Sequence, residues 1–205
     1  MTRGLLILIS APSGAGKTSL VNEIVKRDRN LVKSISHTTR TKRAGEKNGE
    51  DYFFVAANKF SQMVSTDEFL EYAEVFGNFY GTSKTSVDRY RDEGRDVLLE
   101  IDWQGADQIQ QIDQEPVSIF IFPPGKKELE TRLVERNEDS KDTITRRLSQ
   151  AEEDMKKARN YDYVVVNDVF ERAASSLLAI IEVERLKTSN QIHNNELVRD
   201  LLSPK

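Results

Sequence analysis

The sequence predicts an α/β fold organised on a doubly wound parallel sheet. Three observations carry that expectation. Apolar runs within 5–9, 96–105, 117–122 and 164–167 are short and apolar on both faces, as strands covered by helices on either side must be. The stretches between them are longer and set apolar residues at helical spacing, so strand and helix alternate along the chain. The first run also ends in a turn of small residues that leads into a helix. With 205 residues, no internal repeat and no low-complexity segment, the chain has material for one to two domains with a sizeable core.

That first unit is LLILISAPSGAGKTS, residues 5–19. Its five leading apolar residues are too few for a membrane span and suit a buried strand. Ala11, Pro12, Ser13, Gly14, Ala15 and Gly16 form the turn. Lys17, Thr18 and Ser19 open a helix whose apolar stripe is Leu20, Val21, Ile24 and Val25. Strand, small-residue loop and helix in this order are the context that makes a phosphate-binding P-loop specific. Glycines let successive backbone N–H groups converge on one anion, the helix dipole adds partial positive charge, and Lys17 adds a full one. Thr18 would set its hydroxyl on a Mg²⁺ ion that bridges the outer phosphates. The pattern G-x-x-x-x-G-K-[ST] has one departure, Ala11 at its first position, which a negative φ accommodates.

After this helix, 27–33 is polar and reads as a loop, with a short strand around 32–36. From 36 to 55 the texture changes. Arg40, Lys42, Arg43 and Lys47 fall between Gly45, Gly49 and hydroxyls, and the segment closes on Tyr52, Phe53 and Phe54. A solvated basic loop would explain such a cluster. Beside a P-loop it also suits a second cationic cradle, because arginine's fork matches a phosphate dianion. Residues 58–69 read as a helix with Phe60, Met63 and Val64 on one face, 69–83 as a β-ribbon broken at Gly77 and Gly81, and 84–94 as a polar helix.

The strand within 96–105 ends in Glu100 and Asp102, and that of 117–122 is stopped by Pro123, Pro124 and Gly125. Residues 126–160 are charged and helical. Arg132 and Arg136 share one face, and Arg146 and Arg147 lie on a second helix striped by Ile144, Leu148, Ala151 and Met155. The joint at 137–142 reads as a hinge. These arginines suit surface ion pairs with Glu135, Glu152 and Glu153, or a lid that brings cations onto a transferring phosphoryl group. The helix of 169–187 turns Phe170, Ala173, Leu177, Ile180 and Ile181 inward. Beyond 189 the tail carries Leu197, Val198, Leu201 and Leu202, for docking on the body or contact with another copy.

Taken together, these segments resemble the guanylate kinase family of bacterial type over residues 4–187. The most specific match is T-T-R-T-K-R-A-G-E-x-x-G-x-x-Y-x-F from Thr38 to Phe54; YGTS at 80–83, EIDWQG at 100–105, Pro123-Pro124 after a strand and VVVND at 164–168 support it. The resemblance implies a P-loop NTPase core of 1–35, 95–125 and 160–205, an inserted small mixed β-rich GMP-binding domain at 36–94, and a helical lid at 126–159. It implies that 11–19 hold ATP, with Asn167 near the adenine. Arg40, Arg43, Tyr52 and Tyr80 match the ligands of the GMP phosphate. Glu71 matches the carboxylate that accepts from guanine N1–H and the exocyclic amine, and Ser36 and Thr82 the hydroxyls near the base. Adenine offers neither donor, and a site that selects by hydrogen bond can reject the wrong partner by roughly 10⁴-fold. Glu100 and Asp102 would hold a metal-bound water or pair with guanine-site groups. Lys17, Arg40 and the lid residues Arg136 and Arg147, with Arg132 beside them, would carry the chemistry. Two further departures are Glu100, where the family often has aspartate, and Asn137, where glycine commonly follows the arginine.

The reaction so implied is in-line transfer of the γ-phosphoryl group of MgATP to GMP without a covalent intermediate, resting on position and charge. A net charge of −4 gives no basic field for nucleic acid, and no run is long enough for a bilayer. Absence of cysteine removes thiolate catalysis and cysteine-ligated metals. His37 and His193 are too isolated to suggest a metal hydrolase. No signal peptide is evident, so the expected setting is cytoplasmic, with ATP, GMP and Mg²⁺ as partners. Three rivals stand beside this reading. A non-catalytic guanylate-kinase-like binding module would usually lack the lysine-containing loop that this chain keeps at Lys17. A P-loop GTPase would need N-K-x-D, whereas Asn58-Lys59 is followed by Phe60-Ser61. A kinase for another nucleoside monophosphate is opposed by the Arg40 segment and Glu71.

Overall fold

The computed structural model describes residues 3–112, 115–135 and 141–203, without the side chains of 135, 141–144 and 146. Arg136 and Asn137, expected in the lid and its hinge, lie outside the described residues. Nine strands and nine α-helices alternate along the described residues. They run β1 (Leu6–Ser10), α1 (Lys17–Arg27), β2 (Leu31–Lys33), β3 (His37–Thr38), β4 (Phe53–Phe54), α2 (Ala57–Ser65), β5 (Phe69–Val75), β6 (Asn78–Ser83) and α3 (Lys84–Asp92). Then come β7 (Asp96–Glu100), α4 (Trp103–Gln111), β8 (Val117–Phe122), α5 (Lys126–Glu135), α6 (Lys141–Lys156), β9 (Tyr163–Val166), α7 (Phe170–Arg185), α8 (Thr188–Asn194) and α9 (Glu196–Leu202).

Five strands form a parallel sheet in the order β2-β7-β1-β8-β9. β1 is buried along its whole length because it is hydrogen-bonded on both edges and covered on both faces. Strand alternation divides its side chains. Ile7 and Ile9 pack under α1 and α7 with Leu20, Ile24, Leu177 and Ile181; Leu6 and Leu8 pack under α3 and α4 with Val87, Ala106 and Ile109. The chain order turns outward on either side of β1, so the crevice past its C-terminal end is the switch point where open α/β sheets bind ligands. A second, mixed sheet, β4-β3-β6-β5, packs on α2 through Phe60, Met63 and Phe69. Its β5–β6 turn holds Phe76 and Gly77, both at positive φ (49° and 78°).

Three local expectations are corrected. Gly81 does not break the ribbon but lies inside β6; a Cβ there would stand 2.9 Å from Phe69 and 3.1 Å from Phe60, so the glycine makes room for the aromatic core. The strand of 96–105 stops at Glu100 and the chain turns into α4, whose apolar stripe is only Ala106 and Ile109. The second strand falls at Leu31–Lys33, before the expected 32–36, because its pairing with β7 sets Leu31 opposite Asp96. In the tail, the Asn194 side chain exchanges hydrogen bonds with the backbone of Arg3 (2.9 and 3.1 Å), while Leu197, Leu201 and Leu202 of α9 remain exposed.

Candidate active site

The loop after β1 turns through Gly14 and Gly16, at φ 88° and 89°, and delivers the N-terminus of α1 to the switch point. Ala11 is not among the described residues with positive φ, so the first position of the motif makes no demand for glycine. At Gly16 the demand is double. Besides its left-handed φ, a Cβ there would lie 2.5 Å from the Asn167 amide nitrogen. That nitrogen donates to Ala15 O at 2.7 Å, so buried Asn167, just past β9, ties that strand to the loop.

A cleft of about 680 Å³ opens at this point. Its first wall is Ala11, Pro12, Ser13, Gly14, Gly16, Lys17, Thr18 and Ser19, with Ala15 buried behind them. Lys17 Nζ donates to Ile101 O (2.9 Å) and stands 3.7 Å from Asp102. The Thr18 hydroxyl donates to one oxygen of Glu100, and Lys33 Nζ donates to the other at 2.6 Å. Burial would raise the Glu100 carboxyl, but Lys17, Lys33 and these hydrogen bonds prevail and hold it below the ordinary carboxylate range. A hydroxyl beside an ionised carboxylate is a hard-oxygen donor set that fits Mg²⁺, an ion that takes most of its ligands from phosphate and water. No group of three or more metal-ligating side chains occurs among the described residues.

The opposite wall comes from the mixed sheet and the segment before it. Glu71 on β5 is 3% exposed and accepts from Thr82 Oγ1 at 2.5 Å. Burial pushes its carboxyl up to about 7, against the pull of Thr82. Thr82 thus spends its hydroxyl on positioning the carboxylate. The first turn of α4 approaches so closely that a Cβ at Gly105 would run into Glu71 Oε2. Ser36, Arg43, Tyr52 and Tyr80 share this wall, the two phenol rings meeting edge-on at 5.9 Å. Burial raises the Tyr52 phenol well above its usual range, so it remains a proton donor. Arg40 stands beside these phenols. Its guanidinium lies 5.5 Å from the Tyr52 ring centre and donates to Glu46 Oε1 at 2.6 Å. The other Glu46 oxygen accepts from Arg43 N (2.8 Å), so one carboxylate organises both arginines.

The third wall is helical. Arg132 on α5 donates to Glu128 (3.1 Å), and Arg147 on α6 lies 5.6 Å from the ring centre of Phe76. Asp154, also on α6, accepts from Trp103 Nε1 (3.1 Å) and Gln150 (2.9 Å), and burial raises its carboxyl. Phe76, Gln150 and Asp154 were not singled out from sequence, and Glu46 and Gly105 stood in the matched motifs without a role. A readable signal existed for two of them: Gln150 and Asp154 follow Arg147 at three and seven residues, one helix face.

A glycine-turned anion loop at the switch point of a parallel sheet, facing a second wall of cations and phenols, defines a P-loop phosphate-binding protein with a site for a second anionic ligand. A family model described as guanylate kinase matches residues 3–184. The guanylate kinase of Shewanella oneidensis is 45% identical over 98% of both chains, and that of Methylococcus capsulatus 48% identical over 98% of this chain and all of its own. The crystal structure of guanylate kinase from Anaplasma phagocytophilum is similar at a TM-score of 0.80 and 37% identity, covering 98% of this chain and 95% of that one. The chain belongs to the guanylate kinase family.

Proposed function

We infer that the chain transfers the γ-phosphoryl group of ATP to GMP, giving ADP and GDP. The observation that carries this reading is the pairing, across one cleft, of P-loop Lys17 with a buried carboxylate, Glu71. Residues 11–19 hold the ATP phosphates. Arg43, Tyr52 and Tyr80 hold the GMP phosphate, joined by Arg40 when it exchanges Glu46 for that phosphate. Glu71 reads guanine by accepting from N1–H and the 2-amino group, with Ser36 beside it and Thr82 fixing its orientation. The segment 36–94 acts as the acceptor domain and 126–159 as the lid. In that lid Arg132, Arg136 and Arg147 bring positive charge to the transferring group.

An oxygen of the GMP phosphate attacks the γ-phosphorus in line, the bond from that phosphorus to the ADP oxygen breaks, and the proton balance is left to solvent. Lys17 offsets the charge that develops on the leaving phosphate. Thr18 and Glu100 would hold Mg²⁺ with the nucleotide, and the ion, when bound, offsets further charge on the outer phosphates. Its nucleotide substrates fit a cytoplasmic setting, and exposed Leu197, Leu201 and Leu202 support self-association through the tail, which sedimentation would read.

The test is ADP release measured with ATP and GMP, AMP, dTMP or UMP side by side. GMP is expected to exceed AMP by roughly 10⁴-fold in kcat/KM. Comparable turnover of AMP would overturn the assignment.

A further inference from the structure

Lys33 belongs to none of the phosphate- or guanine-facing segments, yet it reaches the site. It ends β2, where pairing with β7 sets it opposite Leu98. Leu98 packs in the core under α1, and Glu100, two residues further along β7, leaves the sheet on that same side. From there Lys33 Nζ donates to Glu100 Oε2 at 2.6 Å, while Thr18 Oγ1 donates to Oε1. The two side chains are 20% and 9% exposed, so the pair is largely shielded from solvent. Glutamate is long and torsionally free. A partner on one oxygen leaves the carboxylate able to swing, whereas partners on both oxygens fix its plane. The other nearby ammonium, Lys17, is directed at Ile101 O and Asp102.

We propose that Lys33 is a positioning residue for metal–nucleotide binding: it anchors the far oxygen of Glu100 so that the near one stays beside Thr18. This rests on the reading of Thr18 and Glu100 as the Mg²⁺ side of the donor site. Lys33 acts through Glu100 and touches neither nucleotide.

The experiment is calorimetric titration of ADP with Mg²⁺ or with EDTA, on the wild type, Lys33→Met, Lys33→Arg, Glu100→Gln and the Lys33→Met/Glu100→Gln pair. Loss of such an outer partner typically weakens metal binding 10–100-fold. Lys33→Met is therefore expected to cut the Mg²⁺-dependent gain in ADP affinity by about tenfold and leave the affinity in EDTA unchanged. Lys33→Arg restores the gain, and Lys33→Met adds no further loss in the Glu100→Gln background. Should Lys33→Met fail to fold, Lys33→Gln carries the same expectation. An unchanged gain, an equal loss in EDTA, or an additive loss beside Glu100→Gln would overturn the role of Lys33. A wild type that gains nothing from Mg²⁺ would instead overturn the reading of Thr18 and Glu100.

Discussion

The two principal walls of the cleft are built on opposite plans. The wall we assign to the phosphoryl donor is one continuous stretch, 11–19, whose backbone turns converge at the cleft and whose rigidity comes from a fully buried strand behind it. The wall we assign to the acceptor is assembled from side chains on β5, β6 and the long segment between β2 and β4. A backbone cradle tolerates a change of side chain wherever φ allows, as Ala11 illustrates. A cradle of side chains depends also on the neighbours that hold them in place: Glu46 behind the arginines, Thr82 on Glu71, and the bare Cα of Gly105.

The sharpest test of that contrast is Lys17→Ala. It should lower kcat by about 10³-fold, the scale of losing one group that stabilises developing charge, while GMP affinity by calorimetry stays unchanged. Loss of GMP binding to the same degree would mean that the walls are not separate. Gly105→Ala probes the other plan. It displaces Glu71 without altering any polar group, and misplacement on the ångström scale can cost about 10²-fold, so kcat/KM for GMP should fall by that order while KM for ATP holds.

The pH dependence separates the walls more gently. Burial pushes the Glu71 carboxyl up to about 7, and its proposed role at guanine needs the ionised form, so KM for GMP should rise up to about tenfold per pH unit below 7 while KM for ATP stays flat. The same shift has a sign for stability. The folded value lies above the ordinary 4.5, so the folded protein binds more protons than the unfolded chain between these values, and the unliganded fold weakens as pH rises through that window. The full effect, present above pH 7, is about 3 kcal/mol. Glu71→Gln should thus resist urea better than wild type at pH 8 and match it at pH 4; a less stable variant at pH 8 would refute the burial argument. The smallest effect is expected at the lid. Phe76→Leu removes the ring beside Arg147, a contact of about 0.5–1 kcal/mol made in the unliganded protein, and should lower Tm by about 1–4 °C while kcat/KM changes less than about twofold.

How much could be read in advance follows the same division. Residues 5–19 were legible because strand, turn and helix signals are contiguous there and all favour one local geometry. The parallel sheet was legible for the same reason, from runs apolar on both faces. The helix at Trp103–Gln111 was missed because its stripe is two residues wide and it follows a strand without a turn signal between them. Gly81 read as a break because its reason lies in Phe60 and Phe69, distant in sequence and adjacent only after folding. Residue types at the acceptor site came from a motif, but the inward turn of Thr82 toward Glu71 and the grip of Glu46 on Arg40 are properties of the assembled pocket.

The contact between Arg40 and Glu46 bears on what can enter. A guanidinium already matched to a carboxylate gives no net attraction to a singly charged visitor, which would displace one negative charge with one of its own kind. A dianion brings twice that charge and can engage the phenols of Tyr52 and Tyr80 as well. For Arg40, then, exchanging Glu46 for an incoming anion is favoured where that anion carries more than one charge.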